Sequence, residues 1–294
     1  MKRYVITHET HYSYGAAVDL GLHVLRMTPL ALPRQRVLDH RLSVSPDPTR
    51  LTGFIDHFGN QMHHLSIETA HEELRVVVTA EVMVEAPAAT PVPEGPAWDS
   101  VRDAMRNDGF ASPPEVAEFV GASPLAPIDQ DATEYARVSF PPQRAIVAGA
   151  RDYLQRMRAD FTYAPGTTEI STPISEVMQT RAGVCQDFAH IMIAGLRGLG
   201  LPARYVSGYL RTYTQQSDQG LRGADATHAW VSVWCGDELG WVDLDPTNNL
   251  IVGDEHISLA YGRDFSDVTP LRGVIRGGGQ HTLAVAVTVE QVER

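Results

Sequence analysis

The sequence predicts an α+β chain: an N-terminal antiparallel β-sandwich domain, then a core of helices packed on an antiparallel sheet. Three observations predict it. Residues 1 to about 88 form short strand-like runs split by turn clusters, the spacing of a sandwich. Residues 141–199 place apolar side chains at helical spacing, and residues 203–245 return to strands. A run of strands followed by helices and a second set of strands is the α+β pattern.

The elements follow in order. Tyr4-Val5-Ile6 and Tyr12-Ser13-Tyr14 belong to an opening strand. The stretches 23–27, 35–44, 61–67 and 74–84 continue the β pattern, with turns at Ser45-Pro46-Asp47-Pro48 and Asp56-His57-Phe58-Gly59-Asn60. Residues 86–96 are rich in Pro and Ala and read as a linker. Residues 98–106 and 113–120 read as short helices. Residues 141–158 form a longer one, with Pro142 near its first turn. Residues 172–199 read as two helices split near Ala182-Gly183. Strands are expected at 203–212, 228–234 and 241–245, and a last one at 281–289, whose partner could lie in either domain. The boundaries drawn are 1–90 for the β domain, 91–140 for a linker with short helices, and 141–294 for the core with its C-terminal strand.

Composition bounds the function. The chain has 294 residues, 43% hydrophobic and 20% charged, with a net charge of -12. Phosphate binding needs clustered Lys and Arg, so nucleic acid and anionic membrane are not expected partners. Cys185 and Cys235 are the two cysteines, too few for a disulfide framework, and a reducing, cytoplasmic setting is the expectation. The N-terminus alternates like a strand and has no apolar signal region. No run of 18 apolar residues spans a membrane.

Cys185 stands out. Val184, Phe188, Ile191, Met192, Ala194, Gly195 and Leu199 put apolar residues at helical spacing, so Cys185 opens a mostly buried helix. Backbone N–H groups and the positive end of the helix dipole point at its thiol, which favours thiolate. The same N–H groups could hold a developing oxyanion. Asp187 works partly against the thiolate and equally stabilises the helix start. Most lone cysteines are small buried hydrophobes, and Cys235, at a strand end before Gly236-Asp237, reads as one.

His228, Trp230, Ser232 and Trp234 share one strand face; Trp241, Asp243 and Asp245 share one face of the next. The short connection 235–240 makes them a hairpin. Two registers bring like faces together: Val233 opposite Gly240, or Trp234 opposite Trp241. The first sets His228 across from Asp245; the second sets them on a diagonal, still within reach. Pairing His228 with Asp243 would leave no loop. Asp245, not Asp243, is therefore the carboxylate that orients the imidazole, unless a bulge intervenes. Asp245-Pro246-Thr247 also reads as a strand terminator. His190 lies five residues after Cys185, about 140° around the helix, and points elsewhere. No Cys-x-x-Cys or His-x-x-x-His spacing supports zinc, and no calcium loop is present; no cofactor or metal is expected.

These residues resemble the transglutaminase-like superfamily. The resemblance is carried by Gly183-Val184-Cys185-Gln186-Asp187-Phe188-Ala189-His190, by residues 199–209, by His228-Ala229-Trp230 and by Trp241-Val242-Asp243-Leu244-Asp245-Pro246-Thr247. It implies a papain-like core with Cys185 as nucleophile, His228 as base and Asp245 as third member. The first 90 residues resemble the N-terminal β domain of bacterial transglutaminase-like proteins taken to be cysteine proteases, through Tyr4, residues 8–12, residues 56–60 and His71. Residues 90–140 match least. Such a family includes cross-linkers, proteases, deamidases and inactive scaffolds.

The expected chemistry is acyl transfer from an amide of a peptide or protein substrate through a thioester. The Cys185 N–H is one oxyanion donor, with Gln186 and Gln179 as candidates for a second. Water is favoured over an amine as acceptor, since no acidic or aromatic motif marks an amine tunnel. The rival readings are a transglutaminase, a noncatalytic peptide-binding module of the same fold, and a structural partner in an assembly. The eight histidines from His8 to His71 are spread over different strands and read as sheet residues rather than metal ligands.

Overall fold

The computed structural model describes residues 1–88, 91–107, 114–212 and 226–292. The N-terminal part of the chain supplies five strands of the β domain: β1 (Lys2–Leu25), β2 (Gln35–Ser45), β3 (Arg50–Ile55), β4 (Gln61–Ile67) and β5 (His71–Val84). Helices α1 (Trp98–Asn107), α2 (Pro114–Ala117), α3 (Gln130–Arg137) and α4 (Ile146–Asp160) follow. Pro113, placed in a helix by the sequence pattern, lies outside the described residues. The short parallel pair β6 (Thr162–Tyr163) and β7 (Ala182–Gly183) brackets α5 (Ile174–Thr180). Then come α6 (Cys185–Gly198), β8 (Ala203–Leu210), β9 (His228–Trp234), β10 (Trp241–Asp245), β11 (Leu250–Ile251), β12 (His256–Gly262), α7 (Phe265–Val268), β13 (Leu271–Gly277) and β14 (His281–Val292).

The opening strand and the 23–27 run are one strand of 24 residues. Its first half pairs with β5 and β14, its second half with β4 and β13. All three lines of strand break at one level: between Ser13 and Val18 in β1, between β4 and β5, and between β13 and β14. At the last break Gly277, Gly278 and Gly279 all have positive φ, a conformation side chains resist. The sheet bends there and folds its halves around Tyr14, Val18, Leu25, Leu65, Ile67, Val76 and Val78. The two layers thus come from one seven-stranded antiparallel sheet. The final strand joins this N-terminal sheet.

The core sheet is antiparallel, in the order β11-β10-β9-β8-β12. One face, with Ala229, Val231, Val233, Val242 and Leu244, packs on α6, which is buried from Asp187 to Arg197. The buried Arg197 guanidinium ties the end of α6 to the carbonyls of Phe119, Ala203 and Arg263 and to Ser123. The opposite face turns toward the β domain. Elsewhere Tyr4, Ile6, Val82 and Val287 of the β domain meet Tyr209, Ile257 and Leu259 of the core. β12 is an edge strand, and the β domain satisfies part of its backbone. Gln35 bonds both N–H and C=O of Ser258, and Asn60 does the same for Tyr261. Among the described residues no helix is long and apolar enough to cross a membrane.

Candidate active site

Cys185 is the first residue of α6 and is half-buried. Asp187, buried two residues on, reaches back to accept the Val184 N–H at 2.7 Å and the Thr168 hydroxyl at 2.7 Å. The carboxylate thereby satisfies one of the backbone donors at the helix start. Gly183 leaves the room for it: a Cβ there would lie 2.7 Å from Asp187 Oδ2. Burial raises the Asp187 pKa, and those two hydrogen bonds oppose the rise.

The hairpin takes the second of the two registers. Trp241 pairs with Trp234 and Leu244 with Val231, so His228 and Asp245 sit on a diagonal of one face. No bulge intervenes. His228 Nε2 lies 2.9 Å from Asp245 Oδ2, and both side chains are fully buried. With Nε2 given to the carboxylate, Nδ1 is buried with no hydrogen-bond partner among the described residues, and Cys185 is near enough to act on the charge of the ring. The hairpin closes through Cys235 N–H to the Gly240 carbonyl, 2.9 Å.

Asp245 is held from every side. Oδ1 accepts the N–H groups of Thr247 (3.0 Å) and Asn248 (3.1 Å), the Asx turn that ends the strand. Oδ2 accepts from His228, from the Asn248 amide (2.8 Å) and from His256 Nε2 (3.1 Å). Burial disfavours its charge, but the two imidazoles and their hydrogen bonds outweigh that and hold the carboxyl far below the usual range. Burial likewise disfavours charge on His228. The Asp245 carboxylate, then Cys185, reverse this and raise the imidazole pKa to about 10. The arrangement is a buried imidazole–carboxylate pair beside the half-buried Cys185.

The other sequence candidates lie apart from this chain. Gln186 Nε2 makes only a long bond, 3.4 Å, to the Ile170 carbonyl, and Gln179 is exposed on α5. His190 accepts the Phe265 N–H, and burial lowers its pKa to about 4. Cys235 is buried, and burial pushes its thiol up to about 12. His256 and Asn248 are site residues that the sequence pattern missed. Asn248 stands just beyond the matched motif. His256 comes from β12, which pairs with β8 across more than forty residues of chain, and no local spacing points to it.

His228, Asp245 and His256 also bring three possible ligand atoms within 4.8 Å of one another. Their contacts of 2.9 and 3.1 Å are hydrogen-bond distances, and a metal ion there would have to replace both shared protons.

Comparison with known proteins agrees with this architecture. Residues 4–83 match the bacterial transglutaminase-like N-terminal region, and residues 137–246 match the transglutaminase-like superfamily. An uncharacterized protein of Mycobacterium tuberculosis is 37% identical over 99% of this chain and 92% of its own. A protein-glutamine gamma-glutamyltransferase of Pseudomonas aeruginosa is 33% identical over 121 residues, 40% of this chain and 17% of its own. The crystal structure of a proposed cysteine protease from Cytophaga hutchinsonii covers 100% of this chain and 91% of its own, with a TM-score of 0.77 at 20% identity, a likeness of fold. The chain belongs to the transglutaminase-like superfamily.

Proposed function

We propose that the protein carries out thiol-dependent acyl chemistry on amide bonds of a peptide or protein, with Cys185, His228 and Asp245 as its triad. The observation that carries this reading is the buried His228–Asp245 hydrogen bond: Asp245 takes one imidazole nitrogen and leaves the other unpaired and free for the thiol at the start of α6. Cys185 Sγ attacks the amide carbonyl carbon, and the Cys185 N–H donates to the oxygen that gains charge. His228 gives its Nδ1 proton to the leaving amine as the C–N bond breaks, which leaves a thioester on Cys185. Water then attacks the thioester, giving its proton to His228. The acid departs and the thiolate–imidazolium pair is restored. Asp245 fixes the imidazole orientation and stabilises its charge throughout.

Hydrolysis is the proposed outcome; amine transfer is the rival, favoured by the name of the Pseudomonas relative. A peptide library incubated with wild type and Cys185→Ala, with and without a primary amine, separates them. Cleavage or deamidation lost in the variant supports the hydrolase. Amine-adducted peptides would make the protein a transglutaminase. No Cys185-dependent mass change would favour a peptide-binding module.

A further inference from the structure

A second polar compartment lies behind the triad, between the β domain and the outer face of the core sheet. It is a cavity of about 470 Å³, walled by Arg34, Arg204, Trp241, Asp243, His256 and Tyr261 among others. That volume suits a small molecule. Its centre of interest is Arg204. The guanidinium is stacked between two rings, 4.2 Å from the Trp241 centroid and 3.7 Å from the Tyr261 centroid. Both of its faces are covered, so its N–H donors are left pointing outward in the plane. Nε is fully buried and bonds to nothing. Among the described residues, no carboxylate forms an ion pair with Arg204. Burial lowers its pKa by more than the nearby Tyr261 and Asp243 restore. The charge is thus left under-compensated by the protein.

Three more unpaired polar atoms sit on the same face. Ser232 Oγ belongs to the residue paired directly with Arg204 on one side and Asp243 on the other. Trp230 Nε1 and His256 Nδ1 are likewise buried without partners, their rings 5.2 Å apart. Ser232 and Trp230 lie beneath the cavity rather than in its lining, whereas Arg204 and His256 line it, so an unpaired polar layer backs the Arg204 guanidinium from inside the sheet. The charge balance sets its sign. Arg34 and Arg204 face the cavity against Asp243 alone, in a chain whose net charge is -12.

We propose that this interdomain cavity is a binding site for a small carboxylate-bearing molecule, clamped edge-on by the Arg204 guanidinium. Guanidinium and carboxylate match as a planar fork, and the two aromatic walls hold the fork rigid. Arg34 adds a second positive charge; among the described residues its side chain makes only a long bond, 3.4 Å, to the Glu85 carbonyl. The site does not depend on the chemistry proposed for Cys185.

Isothermal titration of the full chain with N-acetylglycine and N-acetylglycinamide tests this, since the two differ only in carboxylate against amide. N-acetylglycine should bind saturably and about tenfold or more tighter than the amide. Arg204→Gln should remove that preference, and Asp243→Asn, which removes the opposing charge, should tighten N-acetylglycine severalfold. If Arg204→Gln fails to fold, the wild-type pair and Asp243→Asn still decide. A longer acetylated peptide acid binding tighter than N-acetylglycine would support the carboxylate site and assign it to peptide termini. Absence of saturable binding, equal binding of acid and amide, or an unchanged affinity in Asp243→Asn would each overturn the proposal and leave a cavity filled by water.

Discussion

Replacing Asp245 with Asn keeps the shape of the side chain and removes its charge. The carboxylate accepts five hydrogen bonds, two at Oδ1 and three at Oδ2. An amide has one acceptor oxygen. Placed where Oδ2 stands, it keeps the three side-chain donors, but its NH2 then faces the N–H groups of Thr247 and Asn248. Two bonds are lost and two buried donors go unpaired, at roughly 1–3 kcal/mol each. Placed the other way, it leaves three donors unmet, including His228. The destabilisation at pH 7 should therefore be about 2–5 kcal/mol, in the range for breaking one side of a buried ion pair. The variant also removes the main attraction that raises the His228 pKa to about 10. A raised histidine pKa stabilises the fold fully below the ordinary 6.5, and that stabilisation fades as pH rises toward 10. The gap between wild type and variant should thus narrow above about pH 10. Urea melts at pH 7 and above pH 10 measure the gap, and iodoacetamide alkylation of Cys185 across pH reports the imidazolium. A variant within about 0.5 kcal/mol of wild type, with the same alkylation profile, would refute the reasoning.

Other outcomes follow from the same geometry. Gly208→Ala puts a Cβ into the Trp230 ring and the Ile257 carbonyl oxygen, so it should cost about 2 kcal/mol or more in a thermal or urea melt, and a neutral result would mean the Trp230 packing is misread. His8 and His190 are buried with pKa values lowered to about 4 from 6.5. Each binds its proton later than in the unfolded chain, so stability should fall as pH drops from 6.5 toward 4, by about 3 kcal/mol per histidine. His190→Gln should flatten that slope; an equally steep acid loss would place the cause elsewhere. Cys235, with its thiol pushed up to about 12, should stay unlabelled by iodoacetamide in the folded protein at pH 7, while Cys185 reacts.

Much of this site was legible in the sequence because its geometry is local. Alternation places His228 and Asp245 on matching faces, and a six-residue connection between their strands leaves few registers. The structure uses one of the two expected, with Trp234 opposite Trp241. Apolar spacing after Cys185 likewise marks the buried helix. The unread parts depend on contacts distant in sequence. His256 reaches Asp245 only because β12 pairs with β8. β14 reads as a strand from its alternation, but its partner, β1, lies at the other end of the chain. The single bent β1 was hidden because three separate strand lines must break at one level to reveal it. Gln35 and Asn60 show the same limit: each is one polar residue in a β-rich stretch until β12 is laid beside it.

The most direct measurement is acylation with a peptide p-nitrophenyl ester, followed by p-nitrophenolate release and intact mass. The expected result is a burst of about one equivalent per chain, with the acyl adduct mapped to Cys185 and absent from Cys185→Ala. No burst, an adduct on Cys235, or the same release from the variant would contradict Cys185 as the nucleophile.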